Sequence, residues 1–256
     1  MATRSDMPLL AALLTTVCAG LLLTGCAEPS TGPAARPAQA ATDPAAGPPA
    51  DPAPATAPRP ADLPGIGPLT RARIPAATRQ ALVVTGEGPD SSRSTAVLYA
   101  YEPTRGWHPV TKPWQAHNAL RGWTDDHHAD DLRTPIGVFR IGDAGGRLPD
   151  PGTRLPYDQD EEFNMSGTGF LGEPLEGSFD HVVAIDYNRV PGTTPLNKTR
   201  PLGLAKGGGV WIHVDHGGPT RACVSLPLER MRELLLALDP AKEPVIVMGH
   251  AAALAR

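Results

Sequence analysis

The sequence has only a small excess of negative over positive charge, and it has few cysteines and aromatic side chains. Its 23 lysines and arginines against 27 aspartates and glutamates leave a net charge of −4, which is too small to indicate a partner. The basic residues do not cluster, which argues against a nucleic-acid-binding surface. The chain also lacks a glycine-rich phosphate-binding loop and any internal repeat. We therefore expect neither a nucleic-acid-binding protein, nor a nucleotide-binding protein, nor a repeat protein.

The start of the chain has the pattern of an export signal. Residues 9–23 are almost wholly apolar, and this run is short for a membrane-spanning helix, which needs about 20 residues. The segment Leu23-Thr24-Gly25-Cys26 resembles a bacterial lipobox. The resemblance implies that residues 1–25 are a lipoprotein signal peptide and that lipid on Cys26 anchors the protein to the outer face of the cell membrane. A plain secretory signal and an uncleaved anchor are the alternatives.

Residues 26–68 are predicted to be the lipidated cysteine and a disordered linker. Residues 27–62 contain ten prolines and thirteen alanines among 36 residues, with no aromatic side chain. This composition cannot offset its ordering entropy by burying apolar surface. Frequent proline favours extended conformers of about 3.1 Å per residue, so the linker could hold the next domain up to about 100 Å from the lipid. That reach would suit a protein that works in a cell wall.

Residues 69–256 remain for one folded domain, which is long enough to bury a proper core. Its apolar runs are short, and several alternate or contain β-branched residues, as strands do. The predicted strands are 81–85, 96–101, 137–141, 181–187, 210–214 and 245–248. One helix is predicted over Leu228 to Leu238, with Pro227 in its first turn. We therefore predict a mainly β fold of the α+β class with one late helix.

The stretch HVDHGGPTRACVSLP, residues 213–227, contains Cys223, the one cysteine left after the first 26 residues. An unpaired cysteine in an exported protein is unusual, because oxidising compartments tend to pair or eliminate thiols. We predict a buried strand that carries His213, a turn at 216–219, and a returning strand that brings Cys223 opposite. Such a pair would suit nucleophilic chemistry, because only the thiolate attacks well and an imidazole can take the proton. The alternative is an inert cysteine in an ordinary core.

Two motifs resemble those of L,D-transpeptidases of the YkuD type. The first is His213 followed by Thr220-Arg221-Ala222-Cys223-Val224-Ser225. The second is Arg133-Thr134-Pro135-Ile136-Gly137-Val138-Phe139-Arg140-Ile141, about 80 residues upstream, which resembles the family's Thr-Pro-x-Gly-x-Phe. The motifs stand in the order expected for that family. Residues 179–188 also resemble the strand that precedes the catalytic segment in actinobacterial members. The resemblance covers residues 80–249 and implies a β-sandwich or barrel whose late helix flanks the catalytic segment.

The resemblance implies a cysteine-dependent acyl transfer on peptidoglycan, with no metal or organic cofactor. Cys223 would attack a stem tetrapeptide, release D-alanine and form a thioester. The side-chain amine of a second stem would then form a 3→3 cross-link, whereas water in its place would make the enzyme an L,D-carboxypeptidase. His213 would be the base and then the acid, and the carbonyl of Val214 would orient its ring. The N–H groups of Ala222 and Cys223 would form the oxyanion hole.

Four neighbouring positions bear on substrate binding. The family usually has glycine immediately before the cysteine, where this chain has Ala222. If that position needs a left-handed backbone, alanine would cost about 1–2 kcal/mol; otherwise its methyl group only narrows the site. Arg221, beside Thr220, could hold a substrate carboxylate or point to water. Trp211 lies two residues before His213, so on a strand it would share that face and border the substrate.

Two other functions stay open at this point. The histidines and aspartates of residues 125–131, with His213, Asp215 and His216, could supply zinc ligands for a metal-dependent peptidase; the alternative is a solvated loop. The domain could instead be a lipoprotein that binds wall peptides without catalysis, with a site degraded at Ala222. The other aromatic residues could line a sugar or peptide groove, but core packing is the simpler interpretation. They are Trp107, Trp114, Trp123 and Tyr187.

Overall fold

The computed structural model describes residues 62–256. The strands are β1 (Gln80–Gly86), β2 (Arg93–Glu102), β3 (Gly106–Pro109), β4 (Trp114–His117), β5 (Trp123–Thr124), β6 (Thr134–Pro135), β7 (Gly137–Arg140), β8 (Ala144–Gly146), β9 (Tyr157–Gln159), β10 (Val182–Ala184), β11 (Trp211–Val214), β12 (Val224–Leu226) and β13 (Val245–His250). The α-helices are α1 (Pro68–Arg71), α2 (Leu228–Ala237) and α3 (Ala251–Leu254), and two 3-10 helices cover Leu204–Lys206 and Pro240–Lys242. Within this part of the chain, no helix has the length and apolar character needed to cross a membrane.

Most of the strands form one mixed sheet of eleven. Its order is β7-β13-β1-β2-β4-β12-β11-β10-β8-β9, with β3 paired to β2, while β5 and β6 pair separately. Strand β1 is central and pairs parallel with β13 and antiparallel with β2. Both faces of β1 are covered, which fits its sequence, QALVVTG, because only Gln80 and Thr85 have polar side chains. Leu82 and Val84 pack into the main core, whereas Ala81 and Val83 pack into a second cluster on the other face.

Helix α2 covers part of the main core beside the strands that carry the candidate site. Its apolar residues recur at helical spacing, so Met231, Leu234 and Leu235 are fully buried on one face. Pro227 is the residue that precedes the first helical turn, rather than part of that turn as predicted. The helix ends where Leu238 turns to an extended backbone, still fully buried.

The mainly β fold with one late helix is confirmed. Each of the six predicted strands overlaps an observed one, namely β1, β2, β7, β10, β11 and β13, and the predicted helix is α2. Strands β8 and β9 have no alternating apolar pattern, since they are only three residues long and β8 is Ala-Gly-Gly. Their pairing to the sheet edge depends on neighbouring strands rather than on their own sequence.

Two expectations need correction. The chain does not return from His213 as a hairpin, because β11 and β12 pair parallel. Residues 215–223 instead run back alongside β11, so that β12 starts near the beginning of β11. The folded region also begins before residue 69, since Leu63 and Ile66 are buried against β1 and β13. The predicted signal peptide, Cys26 and the linker up to residue 61 lie outside the described residues.

Candidate active site

Strands β11 and β12 place the predicted thiol and base on one face of the sheet. In the parallel register, Ile212 lies beside Val224 and His213 lies beside Ser225. Cys223 immediately precedes β12 and is therefore level with Trp211. Because alternate side chains point to opposite faces, Cys223 and His213 share a face and are diagonal neighbours across the two strands.

The His213 ring is held in one tautomer. The ring is buried, and its Nδ1 donates a hydrogen bond to the carbonyl oxygen of Val214 at 2.9 Å. A carbonyl oxygen can only accept, so the proton is on Nδ1 and Nε2 is free to accept one. Burial lowers the pKa of His213 to about 4, although the bond to Val214 acts in the opposite direction. At neutral pH, His213 is therefore an uncharged base.

The Cys223 sulfur lies against backbone groups of the neighbouring segment. The N–H of Trp211 donates to Sγ at 3.4 Å, and Sγ lies 3.7 Å from the carbonyl oxygen of Gly209. An N–H group beside sulfur favours the thiolate, but burial has the larger effect and raises the pKa of Cys223 to about 11. The resting thiol is therefore protonated at neutral pH.

The two motifs that carry the family resemblance meet at this cysteine. The hydroxyl of Thr220 donates to the carbonyl oxygen of Cys223 at 2.7 Å, and the hydroxyl of Thr134 approaches the same oxygen at 3.4 Å. Thr134 is fully buried and also accepts a hydrogen bond from the N–H of Ala119 at 2.9 Å. The Thr-Pro segment of β6 therefore supports the backbone that presents the thiol.

Cys223 and His213 line one cavity of about 590 Å³. This volume lies within the range of ligand-binding pockets, which is about 300–1,000 Å³. The cavity is also lined by residues of the 165–179 segment, by Gly207 to Gly209, and by His127. The sequence patterns did not identify these walls, because loops without apolar periodicity give no sign of where they pack.

A second imidazole stacks on the base. The rings of His213 and His216 are nearly parallel, with centroids 5.8 Å apart. Nδ1 of His216 lies 3.2 Å from Oε1 of Glu173, and both side chains are almost wholly buried. Glu173 fits there because its carboxylate occupies the space beside Gly169 and Gly218, where a Cβ atom would clash with it. The pair therefore ties one wall of the cavity to the loop that follows His213.

The histidines and aspartates considered as zinc ligands form no ligand group in the described residues, although His127, His213 and His216 line the same cavity. Asp215 accepts hydrogen bonds from His117 at 2.8 Å and from Ser225 at 2.7 Å. His127 is buried with its Nδ1 3.0 Å from Asp131. Across residues 62–256, no three histidine, cysteine, aspartate or glutamate side chains are grouped so that they could hold a metal ion.

The remaining predicted binding residues have different surroundings. Thr220 and Ala222 line the cavity, and Arg221 lies at its surface with its side chain 74% exposed. The backbone of Ala222 is not left-handed, so alanine is not strained at this position. Trp211 is not among the residues that line the cavity in the described part of the chain. It packs instead with Phe163 and Phe179 in a buried cluster that Cys223 also touches.

The other aromatic residues have mainly structural surroundings. The side chains of Trp114 and Trp123 are buried in the main core. Trp107 packs beside the second cluster and contacts Tyr101 edge to face. The hydroxyl of Tyr187 donates to the carbonyl oxygen of Lys206 at 2.9 Å, which helps to hold the segment before the cavity glycines.

Comparison with known proteins finds only distant likeness. No protein-family model matches the chain, and no curated protein matches it. Among solved structures, it is similar to the helical cell shape determining protein Pgp2 from Campylobacter jejuni, with a TM-score of 0.34 and 15% sequence identity. The similarity covers 69% of this chain and 52% of that one, so the chain spans about half the length of that structure. A likeness this distant supports no conclusion about function, which has to be argued from the site.

Proposed function

We propose that the chain is a peptidoglycan L,D-transpeptidase that acts through a Cys223 thioester. The observation that carries the proposal is that Cys223 and His213 line the same cavity, with the ring of His213 fixed so that Nε2 can accept a proton. The two motifs that resemble the family also contact each other at the Cys223 carbonyl. The substrate would be a stem tetrapeptide of peptidoglycan.

The acylation step follows from the uncharged pair. As Sγ attacks the carbonyl carbon between the third residue and the terminal D-alanine, its proton passes to Nε2 of His213. The backbone N–H groups of Ala222 and Cys223 are the proposed donors to the oxyanion. The intermediate then collapses, the C–N bond breaks, and His213 returns the proton to the departing amine of D-alanine. A thioester and a neutral His213 remain.

The thioester would then be transferred to an acceptor. The side-chain amine of a second stem attacks the thioester carbonyl, His213 takes a proton from that amine, and the proton returns to sulfur as the C–S bond breaks. The product is a 3→3 cross-link. Water as the acceptor would give a tripeptide, which is the L,D-carboxypeptidase reaction. The proposal includes export and a lipid anchor on Cys26, which would place this activity at the outer face of the membrane and in the wall.

A second function is favoured by the state of the thiol. Burial raises the pKa of Cys223 to about 11, which leaves almost no thiolate in the resting site at neutral pH. A lipoprotein that binds wall peptides without catalysis would have no need of a reactive thiol. In that case the cavity would hold the stem peptide and Cys223 would be one of its inert walls.

The first experiment separates these functions. The protein is incubated with a disaccharide-tetrapeptide muropeptide, and products are followed by liquid chromatography and mass spectrometry, with Cys223→Ala as the matched control. We expect dimer or tripeptide with the wild type and neither product with Cys223→Ala, because only the thiol can form the thioester. The dimer-to-tripeptide ratio distinguishes transferase from carboxypeptidase. Unchanged substrate with a folded wild type, or turnover by Cys223→Ala, would contradict the mechanism.

A further inference from the structure

We propose that Asp130 and Arg221 form a clamp at the mouth of the cavity for a substrate group that carries an ammonium and a carboxylate together. The inference rests on the proposed function and specifies which stem peptide the site prefers. Both residues line the cavity that contains Cys223. Apart from the histidines, no other acidic or basic side chain lines this cavity in the described part of the chain. The other lining residues are histidine, apolar, small or hydroxyl-bearing.

The two side chains face each other without forming a closed pair. Nη1 of Arg221 lies 3.8 Å from Oδ1 of Asp130, and the side chains are 74% and 90% exposed. A charge-assisted hydrogen bond is about 2.7–2.9 Å long, so this contact is loose. A solvated ion pair of this kind contributes about 0–1 kcal/mol and opens readily. Both groups therefore keep their hydrogen-bonding capacity for a ligand.

The backbone holds Asp130 in place without using its carboxylate. Asp130 has a left-handed backbone with φ of 62°. The adjacent Asp131 anchors the loop instead, since its side chain accepts from the N–H of His128 at 2.9 Å and from that of Arg133 at 2.8 Å. Ala129 also donates to the carbonyl of Ala205 at 3.0 Å. Within residues 62–256, Asp130 accepts no hydrogen bond, so its carboxylate remains available to a ligand.

Arg221 is placed where it can contact a peptide that has reached the thiol. It lies two residues before Cys223, and the buried Thr220 fixes the backbone on its other side. Its guanidinium carbon is 6.0 Å from the ring centroid of Phe170, which also lines the cavity. The guanidinium therefore lies at the exposed edge of the cavity, between Phe170 and Asp130.

The clamp has a definite preference among diamino acids at the third stem position. A side chain that ends in an amine and a carboxylate on the same carbon can place its ammonium on Asp130 and its carboxylate on Arg221. A lysine side chain ends in an amine alone, so it leaves Arg221 without a partner and brings two positive charges together. The geometry therefore favours a diamino dicarboxylic acid over lysine. A free α-amino acid carries the same pair of charges and is the other source of this chemistry.

Equilibrium binding tests the clamp separately from catalysis. The full chain carrying Cys223→Ala is titrated by calorimetry with two tetrapeptides that differ only in having a diamino dicarboxylic acid or lysine at the third position. We expect the first to bind about fivefold more tightly or better, as one added exposed charge pair allows. Arg221→Gln should reduce this ratio about threefold, whereas Asp130→Asn should weaken the binding of both peptides, because both carry the ammonium. Asparagine tolerates the left-handed backbone, so Asp130→Asn tests the charge alone.

Two controls and three contrary outcomes complete the test. Arg230→Gln removes an exposed arginine of α2 that pairs with Glu233 and does not line the cavity, so the ratio should not change. Raising the salt concentration should reduce the ratio, because exposed charges are screened. Equal affinity for the two peptides, or affinities that change with neither clamp variant, would overturn the clamp. Competition by the free diamino dicarboxylic acid at the peptide's own affinity would overturn its assignment to the stem side chain. If the ratio holds but the wild type converts no muropeptide, the clamp stands and the transpeptidase proposal fails.

Discussion

At the scale of single residues, the site combines a base and a thiol that are both uncharged at neutral pH. Burial lowers the pKa of His213 to about 4 and raises that of Cys223 to about 11. In a thiolate–imidazolium pair, the shifts would have the opposite signs. Under the proposed mechanism, the thiolate therefore forms only as the proton moves to His213 during attack on a bound substrate.

This state of the thiol predicts a steep pH dependence of its alkylation. With iodoacetamide, the rate at Cys223 should rise about tenfold per pH unit from pH 7 to pH 10, because only the thiolate reacts and its fraction grows until the pKa is reached. The rate is measured on the peptide that contains Cys223 by mass spectrometry, so the other cysteines do not interfere. His213→Gln should leave the slope unchanged. A rate that is constant between pH 6 and pH 9 would instead indicate a resting thiolate.

The proposed pair of Cys223 and His213 and the contact that holds the His213 ring could be predicted from sequence, because the family resemblance points to the two residues and the carbonyl of Val214 is adjacent to His213 in the chain. The backbone at Ala222 could not be predicted, because its φ depends on how residues 215–223 cross back beside β11. The role of Arg221 could not be predicted for the same reason, since the position of Asp130 depends on a different loop.

At the scale of elements, the short strand β6 supports the cysteine segment through one hydroxyl. Replacing Thr134 by valine keeps the shape of the side chain but removes its bonds to Ala119 and Cys223. The buried N–H of Ala119 would then lack a partner, so we expect the free energy of unfolding to fall by about 1–3 kcal/mol. Product formation should fall as well, because the carbonyl oxygen of Cys223 loses one of the two hydroxyl groups that contact it.

Urea unfolding of the wild type, Thr134→Val and Thr134→Ser checks this expectation. Serine keeps the hydroxyl and loses only a methyl group, so Thr134→Ser should remain closer to the wild type than Thr134→Val does. Equal losses in the two variants would show that packing, rather than the hydrogen bonds, accounts for the effect of this residue.

The elements themselves could be predicted where the apolar pattern is strong. Helix α2 is long enough for its helical spacing to be unambiguous, and β1 contains a continuous apolar run with adjacent valines, which favours a strand. The direction of β12 could not be predicted in this way, because the pattern of a strand is the same in either direction. A glycine-rich loop of nine residues was long enough to return the chain to the start of β11, and the hairpin interpretation was wrong for that reason.

At the scale of the whole molecule, contacts between distant segments complete the candidate site. The Glu173–His216 pair joins residues 43 positions apart, and Asp130 meets Arg221 across 91 positions. No periodicity marks such contacts, because each side chain alone looks like an ordinary solvated charge. The sequence therefore identifies the thiol and the imidazole of the cavity far better than its walls.

The same burial that shapes the site predicts a loss of stability in mild acid. Burial lowers the pKa of His213 to about 4, and it also lowers the pKa values of His127 and His181. The unfolded chain binds protons at these histidines near the ordinary value of 6.5, so acidification favours unfolding as the pH falls below that value. His117 acts in the opposite direction, because its hydrogen bond to Asp215 raises its pKa. We expect a net loss, because the shift at His213 is the large one among these four groups.

Urea unfolding at pH 7, 6 and 5 checks both the sign and the part due to His213. His213 alone should remove about 2 kcal/mol of the free energy of unfolding between pH 7 and pH 5, the window below its unfolded pKa and above its folded one. His213→Gln keeps a polar side chain and cannot titrate, so its stability should fall by correspondingly less over the same interval. A wild type that is equally stable at pH 7 and pH 5 would mean that His213 can be protonated inside the fold. The resting base would then be charged over part of this range, and the uncharged pair on which the acylation step depends would have to be abandoned.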